Sequence, residues 1–161
     1  MTALADDQLH DAIGFGALPE AVNALLQQGV AAYRRDRVLA DRLFRRALAA
    51  APEQLPIYYC LYKTLTYQGR LDEALAAAQS GLREAARQAG WSPDWRAWTS
   101  PDVSLTGAAR FAVYTLKAIA FIQLRRDERT QATRALEVLA QLDPRGEVGW
   151  PVVAALASGL A

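Results

Sequence analysis

Ala40, Phe44 and Ala47 recur 34 positions later as Ala74, Ala78 and Gly81, and the same spacing returns 58 positions further on as Ala132, Leu136 and Leu139. A fixed period of this length specifies helix pairs stacked in a row, each covering the apolar face of its neighbour, rather than one closed core. The intervening residues agree. Alanine, leucine, arginine and glutamine dominate, all strong helix formers, while β-branched residues are scattered and no alternating run reads as a strand. Glycine and proline punctuate the chain at Gly14, Gly16 and Pro19, Pro52 and Pro56, Gly69, Gly90 and Pro93, Pro101 and Gly107, and Pro144 and Gly146. Between these marks the apolar spacing predicts helices over about 5–13, 19–35, 38–51, 56–68, 71–89, 107–124, 128–142 and 150–160. Links of two to four residues within pairs force antiparallel neighbours. The expected fold class is all-α.

Composition narrows the function classes. The 161 residues make one domain with room for a core, and a net charge of +1 gives no field to gather nucleic acid or a membrane surface. Arg34-Arg35-Asp36-Arg37, Arg42 with Arg45-Arg46, and Arg125-Arg126-Asp127-Glu128-Arg129 mix acids among the arginines and read as solvated surface. The single cysteine, Cys60, excludes an internal disulfide and fits a reducing compartment. It lies among Tyr58, Tyr59 and Leu61 with no adjacent base, so it is expected to pack rather than attack a substrate. His10 is the only histidine, which leaves a transition-metal site without its usual ligands, so neither metal nor cofactor is expected. No glycine-rich phosphate loop or nucleophile elbow occurs. The opening MTALADDQLHDA has no basic stretch ahead of an apolar run, and no uncharged apolar stretch reaches the roughly 18 residues that span a bilayer. These features together point to a cytoplasmic, non-catalytic binding protein.

The helix pairs also carry a motif set. The first unit has Leu25, Gln28-Gly29 and Ala32, then Ala40, Phe44, Ala47 and Pro52. The second has Tyr58, Leu61-Tyr62 and Leu65, then Gly69, Ala74, Ala78 and Gly81. The third has Leu116, Ile119-Ala120 and Gln123, then Ala132, Leu136, Leu139 and Pro144. In this register the chain resembles the tetratricopeptide repeat family, with its W-x2-L-G-x2-Y first helix, A-x3-F second helix and closing proline. The first unit is one residue short between its helices, and about 24 residues are inserted ahead of the third.

The resemblance implies a right-handed α-α superhelix of antiparallel helix pairs with a C-terminal capping helix. It implies one domain over 1–161, with repeats at about 19–52, 55–89 and 107–144, an insert at about 90–106 and a cap at 147–161. It also implies a concave groove lined by the first helix of each pair. The groove residues would be Tyr33 and Arg34, then Tyr59, Lys63, Thr66 and Tyr67, then Tyr114, Lys117, Phe121 and Arg125, the last two sets built on i+3 and i+4 steps. Beside 16 arginines the chain has two lysines, Lys63 and Lys117, and both fall on these stripes. Two lysines among tyrosines suit an acidic peptide or a free C-terminal carboxylate. The alternative is that both snorkel beside core tyrosines. Thr66 and Phe121 stand where carboxylate-clamping members of the family favour amides.

Three of the four tryptophans, Trp91, Trp95 and Trp98, lie in the insert. Ser92-Pro93 reads as the start of a short helical turn that draws the rings together, and Ser100-Pro101-Asp102 repeats the signal before the third pair. Exposed, the rings would form a binding hot spot; buried, they would pack the insert over the helix stack. The last helix, with Trp150, Val152, Val153, Leu156 and Leu160, suits a cap or, alternatively, self-association into a homo-oligomer. A narrower resemblance joins YTLKAIAFIQLRRDE and LDPRGEVGWPVV to small repeat proteins encoded beside bacterial nitrogen-fixation accessory genes, implying a helper in nitrogenase or metalloenzyme assembly. The same residues are what a third repeat and its cap need.

Overall fold

Aspartate, glycine and proline set the helix ends close to where the sequence puts them. The computed structural model of the chain describes residues 18–99 and 105–159. Among the described residues there is no strand. Seven α-helices follow one another: α1 (Glu20–Ala32), α2 (Arg37–Ala50), α3 (Leu55–Tyr67), α4 (Leu71–Ala89), α5 (Gly107–Arg125), α6 (Arg129–Leu142) and α7 (Trp150–Ala157). A 3₁₀ turn, Trp95–Ala97, lies between α4 and α5. The helix expected over 5–13, His10, the Ser100-Pro101-Asp102 start signal and Leu160 lie outside the described residues.

The first helix ends at Ala32 rather than near 35. The amides of Arg35 and Asp36 both donate to the Ala32 carbonyl, at 2.9 and 2.8 Å, and turn the chain early. Asp36 then caps α2, its carboxylate accepting from the Leu39 amide at 3.0 Å. The other two intra-pair turns are copies of one another. After α3, Arg70 N donates to Leu65 O at 3.0 Å with Gly69 left-handed at φ +73°. After α5, Glu128 N donates to Gln123 O at 2.8 Å with Asp127 left-handed at φ +62°. The two turns stand 58 positions apart, the offset of the sequence repeat.

Only Asp127 adopts that backbone among the described non-glycine residues. Asp127→Gly should therefore stabilise the fold by up to about 1 kcal/mol, read as a higher urea midpoint at unchanged slope. The exposed Asp127–Arg129 pair lost in that change, at 3.7 Å, contributes little.

Each helix packs on the next, and the alternate helices α1 and α3, α3 and α5, and α5 and α7 also touch. The recurring positions are the ones that meet at these contacts. Ala40, Phe44 and Ala47 on α2, Ala74, Ala78 and Gly81 on α4, and Ala132, Leu136 and Leu139 on α6 are all buried. Close approach is strictest at two glycines. A Cβ on Gly29 would lie 2.5 Å from Phe44 Cε1, and one on Gly81 would lie 2.7 Å from Tyr58 Cβ. Among the described residues helices α4 and α5 are the longest, at 19 residues each, and make the most extensive contact. Nearly half of the residues inserted before the third unit thus go into extra helical turns, and those added to α4 bury Ala85 and Ala86.

The tryptophan-bearing segment of the insert packs. Trp95 and Trp98 are buried, Trp91 meets Trp98 edge-on at 5.0 Å, and Trp98 Nε1 donates to the Ser92 carbonyl at 2.8 Å. The turn is capped by Asp94, which accepts from Arg96 N at 3.1 Å; Ser92 Oγ accepts from the Asp94 amide one step earlier. Arg96 covers the Trp95 ring at 4.4 Å and ties the turn to Gln131 of α6 at 2.9 Å. Arg126 is more engaged than a solvated arginine. It reaches Asp72 of α4 at 2.9 Å, while Arg70 reaches Asp41 of α2 at 2.7 Å, so each bridges to the preceding helix pair.

Candidate binding face

The first helices of the three pairs bring most of the expected groove residues onto one face. Tyr33 closes α1, Tyr59, Lys63 and Tyr67 lie along α3, and Tyr114, Lys117, Phe121 and Arg125 lie along α5. Neighbouring aromatic rings connect α3 to α5: Tyr59 and Tyr114 are 5.9 Å apart between centroids. Beneath them Tyr62 and Thr115 share a buried hydroxyl contact of 3.3 Å, which fixes the two helices against each other.

Burial sorts these residues. Tyr67 is 60% exposed, whereas Tyr59 is 1% exposed and forms the floor. Thr66 is buried as well. Its hydroxyl donates to the Tyr62 carbonyl at 2.7 Å, so it turns into its own helix rather than outward. Arg34 is exposed and folds back on Tyr33, with Nε donating to the tyrosine hydroxyl at 2.9 Å. At the other end Arg125 lies 5.8 Å from the Phe121 ring. There Phe121, Leu124 and Arg125 join Arg129, Leu156 and Ala157 around a shallow hollow of about 190 Å³.

Both lysines rise from the aromatic floor. Lys63 Nζ is 5.7 Å from the Tyr59 ring and 5.5 Å from the Tyr67 ring; Lys117 Nζ is 3.8 Å from the Tyr114 ring. Among the described residues no carboxylate lies within ion-pair distance of either ammonium. Burial depresses the Lys117 amine from 10.5 to about 8, and the Lys63 charge adds to the effect. Burial also raises the Tyr59 and Tyr67 phenols, with nearby tyrosines adding to it, so both stay neutral hydroxyls at neutral pH. Elsewhere burial pushes the Cys60 thiol up to about 12, which leaves no thiolate at neutral pH.

Two contributors to this face have no helical periodicity to announce them. Asp143, buried at the end of α6, accepts from the amides of Glu147 and Val148 at 2.9 and 3.0 Å. Its carbonyl accepts from Trp150 Nε1 at 2.7 Å, so one residue latches the loop and aims α7 back over α5. The loop ends at Gly149 with φ +88°, and a Cβ there would lie 3.8 Å from Lys117 Nζ. The signal in the sequence is the Asp-Pro-x-Gly-x-x-Gly run, a turn signature whose tertiary target cannot be read locally.

Among the described residues no group of three or more His, Cys, Asp or Glu is placed to hold a metal, and no helix is long and apolar enough to cross a membrane. Comparison with protein-family models, curated proteins and solved structures returns no match.

Proposed function

We propose that this chain is a cytoplasmic helical-repeat adaptor of the tetratricopeptide type, a right-handed superhelix whose α1–α3–α5 face takes an acidic or C-terminal segment of a protein partner. The observation that carries the reading is the pair of lysines. They are the only two in the chain, they share one aromatic-floored face, and no carboxylate of the described residues pairs with them. An anionic segment would supply the missing countercharge through charge-assisted hydrogen bonds, with Tyr67 and Tyr114 offering flat apolar contact.

Titration with acidic peptides bearing either a free or an amidated C-terminus tests this. Lys63→Ala and Lys117→Ala should each weaken binding about tenfold in folded protein, the loss expected for a charge-assisted contact. Affinity should also fall as pH rises through about 8, where Lys117 loses its proton. Affinity unchanged in both variants removes the face from the account.

A second reading rests on α7, where Val152 is 66% and Leu156 44% exposed. Self-association through that helix would cover them. Sedimentation of the purified chain should then show a concentration-dependent dimer that Val152→Asp dissolves; a monomer throughout rejects it.

A further inference from the structure

The two lysines of the α3–α5 face differ in surroundings, and a pair of amines held differently can divide one reaction between them. Lys117 is enclosed by the Tyr114 ring at 3.8 Å and by Gly149 at the start of α7, with Tyr59 below. Lys63 stands one helix away between the Tyr59 and Tyr67 rings. Among the described residues the charge acting on Lys117 is that of Lys63, its ammonium lies over the Tyr114 ring, and no carboxylate pairs with it. An amine enclosed beside a second cation, with no anion to hold its proton, is the setting in which lysine becomes a nucleophile toward carbonyl carbon.

We propose that this face is an imine-forming site for small anionic aldehydes or ketones, with Lys117 as the attacking amine and Lys63 as the cation that holds the ligand's anionic group. The neutral Lys117 nitrogen adds to the carbonyl carbon and forms the C–N bond. The carbonyl oxygen then departs as water, taking the two protons of the amine, and leaves a C=N bond to Lys117. No oxidant or reductant enters the step. Lys63 pairs with the carboxylate or phosphate of the ligand. The attack needs the neutral amine, and the depression of Lys117 to about 8 makes that form available at mildly alkaline pH.

The site uses residues of the peptide-binding face but not its ligand, so the two readings fail separately. A small carbonyl compound reacts whether or not any peptide binds.

Pyridoxal 5′-phosphate, an anionic aldehyde, serves as the probe on the full chain at pH 8. The imine is trapped by borohydride and located by peptide mass. Lys117 should carry the adduct at least about tenfold faster than Lys63, allowing for the weaker nucleophilicity of a less basic amine. Its rate should level off above pH 8. Pyridoxal, which lacks the phosphate, should react about fivefold more slowly, and Lys63→Met should abolish that difference while Lys117 remains the labelled residue. Lys117→Arg, checked for native circular dichroism, should leave only slow labelling of other amines. The proposal is overturned by a label distribution matching that of the urea-unfolded chain, or by equal rates for the two probes on the folded wild type.

Discussion

Gly81→Val should destabilise the fold by about 3 kcal/mol, visible as a urea midpoint shifted down at unchanged slope. The cause is a single contact. The Cβ of residue 81 would sit 2.7 Å from Tyr58 Cβ and 3.1 Å from Cγ, and neither atom is the free end of a flexible chain. Tyr58 is itself held, because its hydroxyl donates to the Pro52 carbonyl at 2.7 Å. Relief therefore requires α3 and α4 to move apart, which opens the buried seam along Ala74 and Ala78. Valine recovers a few tenths of a kcal/mol of helix propensity over glycine, too little to offset the clash. Gly69→Ala gives the contrast. Its Cβ would meet nothing within 4 Å, so only the left-handed backbone, at φ +73°, opposes it, at about 1 kcal/mol. Equal losses in the two variants would mean that α3 and α4 do not approach as closely as Gly81 requires.

That comparison also separates what the sequence makes legible from what it does not. Small residues at fixed spacing announce close helix contact, and Ala40, Ala47, Ala74, Ala78, Gly81 and Ala132 are all buried where helices meet. The 58-residue offset is legible for the same reason, since the turns around Gly69 and Asp127 repeat bond for bond. Periodicity loses its power on α3. Ten of its thirteen residues are buried, so no polar stripe marks an outer face. Tyr59, Thr66 and Tyr67 share one chemical appearance on a helix diagram, yet the first two are buried and only Tyr67 reaches solvent. The tryptophan insert is legible in its tendency to bury and not in its target, because the Arg96–Gln131 tie to α6 spans 35 positions. Asp143 is hidden for a related reason. Its carboxylate spends itself on the two amides of the following loop, a job that many sequences could do.

Lys117→Met should stabilise the protein by about 2 kcal/mol at pH 7 while removing the charge over the Tyr114 ring. Burial and the neighbouring Lys63 hold the folded-state amine near 8 against 10.5 in the unfolded chain, so the fold disfavours the protonated form. The depression corresponds to a penalty of about 3 kcal/mol, reduced to about 2 for an ammonium still partly open to solvent. Methionine keeps the unbranched apolar stem over that ring and carries no proton. Below pH 8 both folded and unfolded wild-type chains hold the Lys117 proton, and the penalty is present in full. Between 8 and 10.5 the unfolded chain binds more protons than the folded one, so wild-type stability rises with pH and the penalty is gone above that window. The difference between variant and wild type should therefore be constant from pH 6 to 7.5 and close as pH approaches 10.5, with other titrating groups cancelling in the subtraction. In thermal unfolding at pH 7 the gain should read as about 6 °C for a domain of this size. A variant less stable than wild type at pH 7, or a difference independent of pH, would mean that Lys117 is solvated and unstrained. A stabilised variant that no longer binds anionic ligands would mean that this amine is kept for function at the fold's expense.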